Sequence, residues 1–336
     1  MSTTEKALSV GTVSVGSTVA SNGRLSCGDS LGRGRVAGIQ RARMLAAMVD
    51  VVAERGVANV TVAHVVARSG VSRRTFYEVF EDRDDCFLAA FGEAVERVSA
   101  IVVRAFECPG SWCARVRAGL VALLECLECD RGTARLLVVE SLAGGRGVLE
   151  HRQRVLDRLV GVVEQGRTEA KGKPGGPPLL TGEGVVGGVL GVLHARLTQP
   201  ESGGLVELTG PLMSMIVMPY LGQAAARREI ERPVSDRVVG APVVREDPLR
   251  ELGMRLTYRT VRVLMAVAEA PGASNRTVAE AADIGDQGQI SKLLARLQGL
   301  GLVENTGAGP ARGEPNAWTL TVKGWEVQRG IANIGA

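Results

Sequence analysis

Apolar positions along the chain change their spacing several times, and each change predicts an element boundary. Residues 1–38 are rich in Ser, Thr and Gly without helical period, which predicts a disordered tail. From Ile39 the pattern turns helical. Leu45, Val49 and Val52 stand at i, i+4 and i+7 and predict a helix that ends at Gly56. Helical period then continues to about Ile230, broken at Pro109-Gly110, Ala143-Gly144-Gly145, Lys171 to Pro178 and Gln199 to Gly204. Glu231 to Pro248 holds three prolines and scattered charge, the composition of a linker. After it come two helical patterns, a longer third, and two short alternating segments around a Gly/Pro-rich loop. The expected units are a tail over 1–38, helical units over 39–91 and 92–230, a linker over 231–248, and a mixed unit over 249–336.

Composition narrows the class. With 336 residues, 45% hydrophobic and 23% charged, the chain can build sizeable cores, and 3% aromatics means those cores are made of Val, Leu and Ala. No apolar stretch approaches the roughly 20 residues of a membrane helix, so no membrane partner is expected. The start, Met1-Ser2-Thr3-Thr4-Glu5-Lys6, lacks the pattern of a signal peptide. Six cysteines without an export signal point to reduced thiols and a cytoplasmic location. The net charge of +4 does not by itself demand a polyanionic partner, so any nucleic-acid contact must come from local placement of charge.

Local placement is found first at residues 61–80. Thr61 can N-cap a short helix whose Val62, Val65 and Val66 face inward, Gly70 supplies the left-handed residue that ends it, and Val71 plugs the turn. Ser72 then caps a second helix, with Phe76, Val79 and Phe80 on its apolar side and Arg73, Arg74 and Thr75 at its N-terminal end. This is a helix-turn-helix, and that end of the second helix is the one a DNA-reading helix presents to bases and phosphates.

From Gln40 to Phe91 the chain resembles the tetracycline-repressor (TetR) family, above all in Val71-Ser72-Arg73-Arg74-Thr75-Phe76-Tyr77-Glu78-Val79-Phe80, Arg83 and Phe87. Carried over by position, the resemblance implies phosphate contacts from Thr61, Tyr77 and Arg83, with Arg73, Arg74 and Thr75 facing the groove and Ser72 at the helix start. Many members carry a small residue where Arg74 stands. The resemblance further implies an all-helical effector and dimerisation domain over 92–230, double-stranded DNA and a small-molecule effector as partners, a homodimer, and ligand-responsive repression without a cofactor or enzymatic activity. Leu180 to Leu197, with Gly184, Gly187, Gly188 and Gly191, and Leu205 to Ile230 are the two stretches expected to pair with a twofold mate. The alternative is that both are simply buried within one subunit.

Cys108, Cys113, Cys126 and Cys129 cluster in sequence, and Cys126-Leu127-Glu128-Cys129 has CxxC spacing. Their amphipathic setting favours buried structural thiols; a zinc site or a thiol-based redox sensor is the competing reading. His64, His151 and His194 are scattered, and none of the common catalytic motifs occurs.

A second reading head is expected near the C-terminus. Thr257 to Ala270, Ser274 to Ala282 and a helix from Asp286, with Gln289 completing a capping-box variant, precede strands at Leu302 to Thr306 and Ala317 to Thr321. That order is a winged helix and resembles the MarR-like class. The resemblance implies groove contacts from Gln287, Gln289, Ser291, Lys292 and Arg296, with Arg312 on the wing. Asp286 would sit near phosphates, and a winged helix can equally serve as a protein-contact module. The expected fold class is therefore all-α with one small β wing. A helical sensor or interaction protein remains the rival to a DNA-binding regulator.

Overall fold

The computed structural model describes residues 27–170, 176–199, 203–233, 257–307 and 315–333. The first helix, α1, spans Cys27–Arg55, so residues 27–38 are helical and not part of a disordered tail. Residues 1–26 lie outside the described residues. Four glycines (Gly28, Gly32, Gly34 and Gly38) hide the helical period in this stretch. Tertiary packing offsets their poor propensity, because Val36 and Ile39 are buried in a core further along the chain. At its other end α1 stops at Gly56, which takes φ +73°, and a 3-10 turn follows over Val57–Asn59.

The next helices form the helix-turn-helix. Helix α2 (Val62–Ser69) starts at Thr61, whose Oγ1 accepts the His64 N–H while His64 Nδ1 accepts the Thr61 N–H. Gly70 ends it at φ +67°, and buried Val71 follows. Helix α3 (Arg73–Val79) is capped by Ser72, whose Oγ accepts the Thr75 N–H at 3.1 Å. Helix α4 (Arg83–Phe106) begins at Asp82, which accepts the Asp85 N–H at 2.8 Å. These helices share one core, in which Met44, Met48, Val52, Val65, Phe76 and Phe87 are buried.

A second core is built from α5 (Trp112–Cys129), α6 (Arg131–Val138), α7 (Arg146–Glu164), the single turn α8 (Gly166–Glu169), α9 (Thr181–Thr198), α10 (Thr209–Leu221) and α11 (Gln223–Glu231). The stretch from Leu205 to Ile230 is not one long helix. It breaks at Gly222, which takes φ +83°, and α11 folds back to pack on α10. Ala225 and Ala226 are the small residues buried there. A buried ion pair fixes this corner: Arg117 Nη1 donates to Glu229 Oε2 at 2.7 Å, and the same guanidinium donates to the carbonyls of Arg232 and Pro233. The linker expected over 231–248 overlaps the end of α11 at Glu231; residues 234–256 lie outside the described residues.

The C-terminal unit contains α12 (Tyr258–Glu269), α13 (Asn275–Ala281), α14 (Gln287–Gly299), β1 (Val303–Asn305), β2 (Trp318–Leu320) and α15 (Val322–Asn333). The strands pair antiparallel with Glu304 opposite Thr319, and Ala273 adds a bridge to Trp318. Val36 and Ile39 of α1 belong to this core, together with Val263, Leu264, Ile290, Leu294 and Val327. One continuous helix thus runs from the core of the C-terminal unit into the core of the helix-turn-helix.

Candidate nucleic-acid interface

The exposed side of α3 carries Arg73, Arg74, Tyr77 and Glu78. Arg74 Nε is 2.9 Å from Glu78 Oε1, one turn on, with the guanidinium 90% exposed and so free to exchange that partner for another anion. Tyr77 is 58% exposed and lies edge-on to buried Phe76. Thr75 Oγ1 shares a 2.9 Å hydrogen bond with Ser72 Oγ, so both hydroxyls serve the cap. Thr61 is exposed and likewise serves as a cap. The fold therefore brings Thr61, Ser72, Arg73, Arg74, Thr75 and Tyr77 together around α2 and α3.

Arg83 is placed differently. Its Nη1 donates to the carbonyls of Val57 at 3.2 Å and Val60 at 3.4 Å, and its guanidinium also bonds Asp84. That side chain ties the start of α4 to the turn before α2. Arg68 is a similar tie that the sequence reading missed: its guanidinium bonds Glu54 and lies 3.5 Å from Asp50, which locks α2 to α1.

The second group lies on α14. Asp286 caps the helix by accepting the N–H groups of Gly288 and Gln289, and these bonds hold its carboxyl below the usual carboxylate range. The expected capping box is only half formed. Gln289 Oε1 accepts from Arg259 Nη1 at 2.9 Å, and the Gln289 side chain also bonds the Asp286 carboxyl. Ser291 Oγ accepts from Asn275 Nδ2 at 3.0 Å, while Gln287, Lys292 and Arg296 are exposed. Asn275 Oδ1 also accepts from Trp318 Nε1 at 2.6 Å and Asn316 Nδ2 at 3.0 Å, joining α13 to the hairpin. Arg312 lies outside the described residues.

Helix α4 extends from the helix-turn-helix into the wall of a cavity of about 300 Å³ between α4, α5, α7, α9 and α10. Its lining is apolar, for example Val95, Val102, Leu120, Leu159, Val189 and Ile216; only Ser99, Arg152 and Arg158 add polar side chains. The volume is at the lower end of ligand pockets. Sequence reasoning placed Val189 and Ile216 in stretches expected to pair with a twofold mate and foresaw no cavity, because a cavity is a property of how stripes meet and not of any one stripe.

Three of the thiols are held in their protonated form. Burial pushes the Cys86 thiol up to about 12, and burial together with the neighbouring Glu229 carboxylate pushes Cys113 up to about 11. Cys126 is raised as well, by burial first, and Cys129 is exposed. Thiols held protonated are poor nucleophiles and poor metal ligands. Among the described residues no group of three His, Cys, Asp or Glu is arranged to hold a metal ion, and no helix is long and apolar enough to cross a membrane.

The glycine side of α9 is open, and its Gly187 and Gly191 also border a groove between α7 and α9. A Cβ built on Gly184, Gly187 or Gly191 would meet nothing, while Gly188 faces Met215 of α10. Met215 and Met218 are themselves exposed.

Curated proteins give no match. Among solved structures, the chain is similar to the fatty acid degradation regulator FadR from Bacillus halodurans, at 17% identity and a TM-score of 0.48, covering 53% of this chain and 94% of that one. It is also similar to the FadR regulator of Bacillus subtilis solved with stearoyl-CoA, at 16% identity and a TM-score of 0.47, covering 54% and 98%. A third is SmeT, repressor of the SmeDEF multidrug efflux pump of Stenotrophomonas maltophilia, at 20% identity and a TM-score of 0.47, covering 60% and 96%. Residues 44–90, from α1 into α4, match the family model of bacterial regulatory proteins, tetR family.

Proposed function

We propose that the chain is a sequence-specific DNA-binding transcriptional regulator that answers to a small ligand, acts as a homodimer and catalyses no reaction. The carrying observation is α3: its Ser72 cap fixes the helix start, and Arg73, Arg74 and Tyr77 stand exposed on one side of it. Arg73 and Arg74 supply base readout in the major groove, and Thr61 and Tyr77 supply phosphate contacts. The ligand enters the cavity beside α4. Movement of α4 then shifts the reading head, because Arg83 couples the two. The open glycine side of α9 and the exposed methionines of α10 are the surface for the twofold mate, and two heads then address half-sites about one helical turn apart.

The C-terminal unit is proposed as a MarR-like winged helix that contacts DNA through Gln287, Lys292 and Arg296. Its burial of Val36 and Ile39 favours a module carried in fixed relation to the first head, in place of one swinging on a linker. The test is selection of binding sites from random duplexes, followed by footprinting of the full chain and of a chain ending near residue 240. A selected site with a longer footprint for the full chain supports both heads. An unchanged footprint assigns the C-terminal unit to protein contacts, and failure to select any sequence contradicts the DNA reading.

A further inference from the structure

The cavity beside α4 has one residue that its apolar wall does not explain. On α7 the inward stripe runs Val148, Arg152, Val155, Leu156, Leu159 and Val163, so an arginine stands where the period calls for an apolar side chain. Arg152 is partly buried, and among the described residues it has no hydrogen bond or ion pair. It lines the apolar cavity and also the adjoining groove of about 730 Å³ between α7 and α9. Asp157 and Glu183 line the outer groove only, whereas the charged residues of the inner cavity are Arg152 and Arg158, both cationic. A guanidinium held in an apolar wall without a counterion loses hydration and gains nothing in return.

We infer that the ligand is an amphipathic anion: an apolar chain or ring system in the cavity, with a single carboxylate or similar acid group on Arg152 at the mouth of the groove. This rests on the cavity being the effector site and adds the chemical class of the effector. The apolar body replaces water along Val95, Val102, Leu159 and Val189, and the acid group supplies the counterion that the fold withholds from Arg152. A neutral analogue of the same chain gains only the first of these, and a cationic one is repelled. Arg158, further round α7 and exposed, adds positive potential without contacting the head directly.

The experiment is calorimetric titration of the full-length chain with dodecanoate and with dodecanol, both below their micellar range, alongside retention of the selected duplex. Wild type should bind the acid about tenfold or more tighter than the alcohol, the factor expected of one charge-assisted hydrogen bond. Arg152→Gln should abolish that preference while leaving the alcohol's affinity unchanged, and Arg152→Lys should keep most of it. Equal binding of acid and alcohol by wild type, or an acid preference that survives Arg152→Gln, overturns the proposal. If the alcohol still releases DNA in that case, the cavity keeps its effector role and only the anionic head is wrong. Absence of binding by either compound overturns the proposal, and with DNA retention unaffected it removes the effector reading as well.

Discussion

Arg83 Nη1 donates to the carbonyl of Val57 at 3.2 Å, so the first residue of α4 holds the turn on which the helix-turn-helix is mounted. Resemblance alone would assign this arginine to a phosphate. With its guanidinium spent on Val57, Val60 and Asp84, it is better placed to transmit a shift of α4 to α2 and α3. Arg83→Gln should therefore weaken operator binding and blunt its response to ligand, with the salt dependence of binding unchanged. A salt slope reduced by about one unit would instead make Arg83 a phosphate contact.

The Arg117–Glu229 pair makes a stability prediction. Both side chains are buried and joined at 2.7 Å, so Arg117→Leu leaves the buried Glu229 carboxylate with only the longer contacts to Arg232 Nη1 at 3.7 Å and Cys113 Sγ at 3.5 Å. Denaturant unfolding should show a loss of about 3–5 kcal/mol. Replacing both partners with apolar residues should recover most of it.

His151 gives a pH dependence. Its ring meets Phe91 edge-on at 5.4 Å, and burial, with Arg154 and Arg158 adding, lowers the imidazole below its ordinary 6.5 while Glu96 pulls the other way. The unfolded chain then binds the proton more readily than the folded one. Stability from this group is complete above about pH 6.5 and is lost as pH falls through the lowered folded value. Thermal midpoints measured from about pH 7 to 5 should decline less in His151→Gln than in wild type; parallel declines would show that the imidazole is not the cause.

The shared helix α1 makes a fourth. Ile39 is fully buried in the C-terminal core although it lies far away in sequence. Ile39→Ala should cost about 2–5 kcal/mol and make residues 257–333 more susceptible to limited proteolysis. Unchanged cleavage would mean that the C-terminal unit does not depend on α1.

Much of the first head was legible in sequence because its signals are local: Thr61 and Ser72 are caps, Gly70 is a left-handed stop, and Val65 and Phe76 sit at helical spacing. The strands of the wing were legible too, within a residue or two at each end. What escaped depends on distant parts of the chain. Residues 27–38 are helical, with Val36 buried beside a core that is formed more than two hundred residues later, and the glycines conceal that helix locally. The break at Gly222 looked like a continuous apolar run until α11 was seen to fold back on α10. Gln289 had the spacing of a capping residue, but it also accepts from Arg259 of another helix, a partner no local spacing reveals. Arg152 was not singled out in sequence, because a lone charge on the stripe of α7 gains its meaning only from the cavity it lines.

DNA reading by α3 is tested most directly by gel retardation of a selected duplex with wild type and with the Arg73→Ala, Arg74→Ala double variant. Neither side chain is part of a core, so the variant should remain folded by circular dichroism. Each lost bidentate base contact costs roughly 1–3 kcal/mol, so the variant should lose both affinity for the selected duplex and its preference over scrambled DNA. A folded double variant that binds the duplex with unchanged affinity and preference would contradict the assignment of α3 as the reading helix.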